Sequence, residues 1–173
     1  MVYIGIDPGK SGGMAVIRNK KTPVLLSVLK WEGAFAMRKY IQGWQKGDTH
    51  IVVENVPKTI GREGASESTG FVLGDHFGQI KGGLEWAGLD YELVRPFVWQ
   101  NGLGLSGKCP DRKKMLRDFA CDTFPSKVGN RITLATCDAV LIALWALKRD
   151  RRGLVNQREF DGRAPSTGQI VPV

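Results

Sequence analysis

Tyr3-Ile4-Gly5-Ile6-Asp7-Pro8-Gly9-Lys10-Ser11-Gly12-Gly13 is the stretch on which the reading of this chain turns. Tyr3 to Asp7 has the length and apolar content of a short strand, and Pro8 to Gly13 has the composition of a tight turn. Met14 to Arg18 returns as a second strand, Asn19-Lys20-Lys21 supplies another turn, and Val24 to Lys30 reads as a third strand. The pattern is an antiparallel meander with an aspartate at the mouth of its first turn. A carboxylate that closes an apolar strand is costly to bury unless a cation or a donor neutralises it.

Downstream, Ala34 to Trp44 reads as a helix with Phe35, Met37, Tyr40, Ile41 and Trp44 as apolar contacts, ended by Gly47-Asp48. Ile51 to Glu54 is a short strand, apolar without alternation, which suits a central position in a sheet. It too closes on an acid. Residues 57–69 have the Gly, Ser, Thr and charge content of a loop. Gly70, Gly74, Gly78 and Gly82 then recur every four residues, extended backwards by Ser66. On a helix they share one face, and each costs about 1 kcal/mol of helix stability against alanine. Either close packing on the chain's own sheet or a helix-on-helix dimer contact would offset that cost.

Tyr91 to Val94 is a fifth strand, closed by Arg95-Pro96. A glycine-rich turn over Asn101–Gly107 leads to a basic helix from about Pro110 to Phe124. A last helix is expected over Thr133–Lys148. The order βββαβαβαα is an α/β arrangement of the RNase H-like kind, a mixed five-stranded sheet flanked by helices, over residues 1–149. Residues 150–173 read as a basic polar tail. In the last helix Asp138 stands within an otherwise apolar run, Ala139 to Trp145.

The 173 residues suffice for one domain with a substantial core. Hydrophobic content of 42% and charge of 24% suit a folded, soluble chain. No apolar run is long enough to span a bilayer and the start reads as a strand, so no signal or transit peptide and a cytoplasmic or nucleoid location are expected. The net charge of +8 favours polyanions. It is concentrated in Lys108, Arg112, Lys113, Lys114 and Arg117, and again in Lys148, Arg149, Arg151, Arg152, Arg158 and Arg163. Lys10, Lys58, Arg62, Lys108, Arg112 and Lys114 are the candidate DNA-backbone contacts. Cys109, Cys121 and Cys137 show no C-x-x-C spacing and only His50 and His76 accompany them, which argues against structural zinc.

In this topology the first and fourth strands are neighbours and the last helix crosses them, so Asp7, Glu54 and Asp138 converge. Clustered acids repel one another unless divalent metal fills the site, and hard oxygen ligands select Mg²⁺ or Mn²⁺ over zinc. Two such ions about 3.5–4 Å apart activate a water and stabilise the leaving oxygen of a phosphodiester. An acidic site in a basic protein thus points to nucleic-acid hydrolysis. Taken singly, Asp7 also suits a turn, Glu54 an ion pair with Lys58 or Arg62, and Asp138 a helix N-terminus.

Three segments carry a family resemblance. Tyr3-Ile4-Gly5-Ile6-Asp7-Pro8-Gly9 resembles the opening strand of RuvC-type resolvases. Val52-Val53-Glu54-Asn55-Val56 resembles their second acidic strand, and Cys137-Asp138-Ala139-Val140-Leu141-Ile142-Ala143 resembles their last acidic helix. Arg95-Pro96-Phe97-Val98-Trp99, the basic helix and Phe124-Pro125 are closer to viral and phage-type members. The resemblance runs from residue 1 to about 148. It implies a homodimer that binds a four-way (Holliday) junction and nicks two strands symmetrically with Mg²⁺. Asp7 would bridge two ions, Glu54 and Asp138 would complete the set, and Lys108, Lys113 and Lys114 would lie near the scissile phosphate. It also implies that the helix after the loop is the dimer element.

Two positions depart from the family. Its fourth acid or histidine, one turn before the last aspartate, is replaced by Leu134 or Ala135, leaving Asp111, Asp75, His76 or water as substitutes. Pro57 stands where bacterial members place an aromatic wedge, with Phe71 and Trp99 as candidates for related work. Two further readings stand beside this one: an RNase H-like nuclease acting on other branched DNA or RNA–DNA hybrids, and, motivated by Ala135, a junction-binding protein without catalysis. The phosphate loop of sugar-kinase and actin-like ATPases also resembles residues 6–13, but those proteins need two such domains in a longer chain.

Overall fold

A computed structural model describes residues 1–33, 40, 47–55, 67–107 and 109–159. The helix expected over residues 34–44 and most of the loop expected over 57–69 lie outside the described residues. Five strands form one mixed sheet: β1 (Val2–Asp7), β2 (Gly13–Arg18), β3 (Val24–Lys30), β4 (Thr49–Glu54) and β5 (Tyr91–Val94). Their spatial order is β3-β2-β1-β4-β5. The meander β1–β2–β3 is antiparallel, whereas β4 runs parallel to β1 and β5 parallel to β4. The described helices are α1 (Glu67–Trp86), α2 (Pro96–Gly102), α3 (Arg112–Thr123) and α4 (Cys137–Glu159). This is the mixed five-stranded α/β sheet of the RNase H-like fold.

Both faces of the sheet are covered, which is why β1 and β4 read as apolar runs rather than as alternating ones. Ile4, Ile6, Ile51 and Val53 pack with Ile80 and Leu84 of α1. Tyr3, Ala15, Val52 and Val94 pack with Ala139, Val140 and Ala143 of α4. Side chains alternate along a strand, so Tyr3, Gly5 and Asp7 share the α4 face, as do Val52 and Glu54. Gly5 sits directly beneath α4. A Cβ there would collide with the Ala139 carbonyl and stand 2.5 Å from the Ala143 backbone nitrogen. The absence of that Cβ lets the helix lie close enough to bring Asp138 to the end of β1.

Several sequence expectations are corrected. The last helix begins at Cys137, not Thr133, because Thr133–Thr136 form a capping turn: the Thr133 amide donates to Thr136 Oγ1 at 3.0 Å and the Ala135 amide to Thr133 Oγ1 at 3.2 Å. It also continues past Lys148 to Glu159, through the start of the expected tail. Polar residues extend it because they have tertiary partners: Asp150 accepts from the Tyr3 hydroxyl at 3.1 Å, and Arg151 Nε donates to Asn19 Oδ1 at 3.1 Å. Helix α1 starts at Glu67, inside the expected loop. Helix α3 starts at Arg112, so Pro110 precedes it.

The glycine stripe does not pack on the chain's own sheet. Ile80 and Leu84 take that face, whereas Gly74, Gly78 and Gly82 look outward, and a methyl group added at any of the three would meet nothing within 4 Å. Among the described residues no helix is long and apolar enough to cross a membrane.

Candidate active site

The parallel pairing of β1 and β4 sets Ile6 beside Val53, so the next residues, Asp7 and Glu54, end neighbouring strands on the same face. Asp7 is only 9% exposed. The turn after it is tight enough that a Cβ on Gly12 would run into the Asp7 carbonyl, and Gly9 holds φ +130°, a backbone conformation open to glycine. The two carboxyls share a hydrogen bond. Burial, then the charges of Glu54 and Asp138, push the Asp7 carboxyl well above the usual carboxylate range. Burial raises Glu54 as well, opposed by a hydrogen bond from Trp99.

Asp138, in the first turn of α4, completes the acidic group. Its Oδ2 accepts from Lys113 Nζ at 2.5 Å, and its Oδ1 from Cys137 Sγ at 3.4 Å. Burial works to lower the Lys113 ammonium, but the Asp138 charge and hydrogen bond outweigh it and its pKa is raised. Lys113 therefore carries its charge at the mouth of the site. Asp7, Lys113 and Asp138 line an open cleft of about 570 Å³ together with the Pro8–Gly12 turn and Val72 and Leu73 of α1.

The remaining expected site residues divide into three groups. Lys10 lines the cleft and is exposed, and Lys114 is exposed on α3. Arg112 is occupied internally, donating to Gln100 Oε1 at 2.5 Å, to the Leu105 carbonyl at 2.9 Å and to the Gly107 carbonyl at 2.5 Å. Its guanidinium ties the Leu103–Gly107 turn to α2. Lys58, Arg62 and Lys108 lie outside the described residues.

None of the proposed side-chain substitutes for a fourth ligand lines the cleft. Asp75 accepts from Gln79, His76 packs on Trp31 with ring centroids 5.6 Å apart, and Asp111 is exposed before α3. Trp99 is fully buried and so is no wedge, whereas Phe71 is 78% exposed.

One partner was missed in the sequence. Trp99 Nε1 donates to Glu54 Oε1 at 2.9 Å. It sits on α2, a helix that starts at Pro96 directly after β5. Proline at a first helical position was the available signal, obscured because Arg95-Pro96 also reads as a strand terminator.

Among the described residues, no three Asp, Glu, His or Cys side chains already stand as a ready metal cage. Asp138 is paired with Lys113, whereas Asp7 and Glu54 face each other with no cation between them among the described contacts. Two buried carboxyls side by side, next to a third that recruits an ammonium, form a donor set of hard oxygens short of positive charge. That set fits a divalent cation such as Mg²⁺.

The fold is that of RuvC. A structure described as T. thermophilus RuvC in complex with Holliday junction substrate superposes with a TM-score of 0.64 at 18% identity, covering 88% of this chain and 97% of that one. A second Thermus thermophilus RuvC structure gives a TM-score of 0.58 at 21% identity with the same coverage. No family model and no curated protein sequence matches the chain.

Proposed function

We propose that this protein is a divalent-metal-dependent endonuclease that resolves four-way DNA junctions by nicking two opposed strands. The observation that carries the reading is the meeting of Asp7, Glu54 and Asp138 at one edge of a RuvC-like sheet, with more negative charge than the protein itself neutralises. Asp7 would hold two Mg²⁺ ions in common, with Glu54 and Asp138 completing the ligands; Mn²⁺ would substitute. Bound there, the ions supply an activated water and charge stabilisation at the leaving oxygen.

The chain's own residues do the rest. Asp7, buried at the end of β1, would serve as the anionic anchor shared by the ions. Lys113, beside Asp138 at the mouth of the cleft, would direct its ammonium to the scissile phosphate. Lys10 at the cleft and Lys114 on α3 hold the DNA backbone, as would Lys58, Arg62 and Lys108. Arg112, itself bonded to Gln100, Leu105 and Gly107, would stand with this DNA-contacting set.

On this reading the protein is a homodimer paired through α1. Its outward face carries Gly74, Gly78 and Gly82, with Phe71 (78% exposed) at one end and Trp86 (71% exposed) at the other. Two such helices packed antiparallel about Gly78 would set each Phe71 near the partner's Trp86 end. That pairing would recover apolar area and give two symmetric active sites.

The test is cleavage of a four-way junction beside a flap and an RNA–DNA hybrid in Mg²⁺. Paired symmetric nicks in the junction support the reading, and preference for either other substrate replaces it. The lack of an acid at Leu134 or Ala135 favours a second reading, junction binding without cleavage. Tight binding with no nicking in Mg²⁺ or Mn²⁺ would establish it.

A further inference from the structure

The indole of Trp99 brings a neutral N–H to the acidic cluster, and it is fully buried. Its position is determined by several elements together. Strand β5 pairs with β4 so that Val94 lies beside Glu54, and the Asn55 amide donates to the Val94 carbonyl at 2.7 Å. Helix α2 turns back immediately after that pairing. Its far end is pressed onto α4: a Cβ on Gly102 would collide with the Trp145 ring. The Leu103 amide closes the helix on the Trp99 carbonyl at 3.1 Å. Arg112 then ties Gln100 to the following turn. Trp99 is therefore held from both sides of its own helix, with its single N–H directed at Glu54.

An indole has a donor and no acceptor. A buried indole N–H left without a partner is costly, so the contact constrains the carboxylate as much as the ring. We infer that Trp99 is the positioning residue of the metal site: it fixes Oε1 of Glu54 so that the other oxygen is presented to a cation held in common with Asp7. A neutral donor suits this task. A lysine or arginine there would satisfy the carboxylate's charge and compete with the ion, as Lys113 does at Asp138, whereas the indole orients Glu54 and leaves its charge for the metal. This inference rests on the metal-dependent reading above and assigns Trp99 no contact with substrate.

The test is Mn²⁺ binding to the free protein, followed by electron paramagnetic resonance without DNA, for the wild type, Trp99→Phe, Glu54→Gln and the double variant. Trp99→Phe keeps an aromatic ring and removes the N–H. Loss of such an outer contact weakens metal affinity by about 10- to 100-fold. A loss of about 10-fold or more in Trp99→Phe, with little further loss when it is added to Glu54→Gln, is the expected result. In cleavage assays the same variant should need more Mg²⁺ for half-maximal rate while approaching the wild-type rate at saturation.

Unchanged Mn²⁺ affinity in Trp99→Phe with reduced affinity in Glu54→Gln would overturn the role of Trp99 and leave the metal site standing. Unchanged affinity in both would remove the metal site and this inference with it. Should Trp99→Phe fail to fold, the indole ¹⁵N–¹H resonances of the wild type decide. One of them should move on Mg²⁺ addition and also in Glu54→Gln, and if none does so the inference is wrong.

Discussion

The parallel strands β1, β4 and β5 carry charge at both ends, and the two ends treat it differently. At their starting ends Tyr3, His50, Glu92, Arg149 and Asp150 form a closed set. Arg149 bonds Glu92 at 2.5 Å and Asp150 at 3.1 Å, His50 Nδ1 lies 3.0 Å from Asp150, and Tyr3 stacks on His50. Acids and bases alternate, so each charge has a partner of opposite sign. At the finishing ends Asp7, Glu54 and Asp138 face one another with one ammonium among them. Burial and like charge push two of these acids up, whereas at the other end hydrogen bonds from His50 and Arg149 overcome burial and hold Glu92 below its ordinary value. Compensated charge docks the distal part of α4 on the sheet. The under-compensated charge at the other end is what the proposed function assigns to a cation.

The comparison breaks most visibly with Asp7→Asn. Loss of the shared metal anchor should lower junction nicking by about 10³-fold or more, the scale of several kcal/mol of charge stabilisation. Binding to the same junction, read by gel shift in Ca²⁺, should survive. Normal nicking by this variant would remove the site assignment.

Stability should respond in the opposite sense. The raised Asp7 carboxyl binds a proton more tightly in the folded than in the unfolded chain, so its contribution falls as pH rises from its unfolded value through its folded one. Near neutral pH in EDTA, Asp7→Asn should therefore melt above the wild type. Mg²⁺ should raise the melting temperature of the wild type, by the equivalent of about 2.7 kcal/mol at 100 times its Kd, and leave Asp7→Asn unmoved. Calorimetry with and without Mg²⁺ checks both signs.

Changes at the compensated end should cost less and leave the nicking rate alone. Arg149→Ala leaves Glu92 and Asp150 without their shared cation. These side chains are partly exposed, so the loss should be about 1 kcal/mol or less, or about 2–4 °C in melting temperature at this chain length.

The smallest effect belongs to His50. Its hydrogen bond to Glu92, then the Asp150 charge against opposing burial, raise its pKa above 6.5. The stabilisation it brings is thus complete below the unfolded value and lost as pH rises through the folded one. Between about pH 6 and 8 the wild type should lose about 1–2 °C more than His50→Gln, as expected of a pair worth roughly 0.5 kcal/mol. An equal loss in both would exclude His50 as the source.

Asp7 and Glu54 were legible because each interrupts an apolar run at a strand end, and Asp138 because it interrupts an apolar helix. Local pattern carries that information. It does not carry the pairings made across the fold. Lys113 could be placed near the site, but its contact with Asp138 depends on how α3 lies on α4. Arg112 reads like any other residue of a basic cluster, yet three acceptors nearby take its donors. The extension of α4 to Glu159 was hidden because its polar residues find partners in β1 and the β2–β3 turn, more than a hundred positions away. The glycine stripe shows a face on a helix, and the structure adds that the face looks outward.

A Mn²⁺-soaked crystal measured at the manganese absorption edge tests the central claim most directly. The account predicts anomalous peaks bounded by Asp7, Glu54 and Asp138, with Lys113 withdrawn from Asp138. An anomalous map without a peak there, at a Mn²⁺ concentration that supports nicking and with Lys113 still bonded to Asp138, would contradict it.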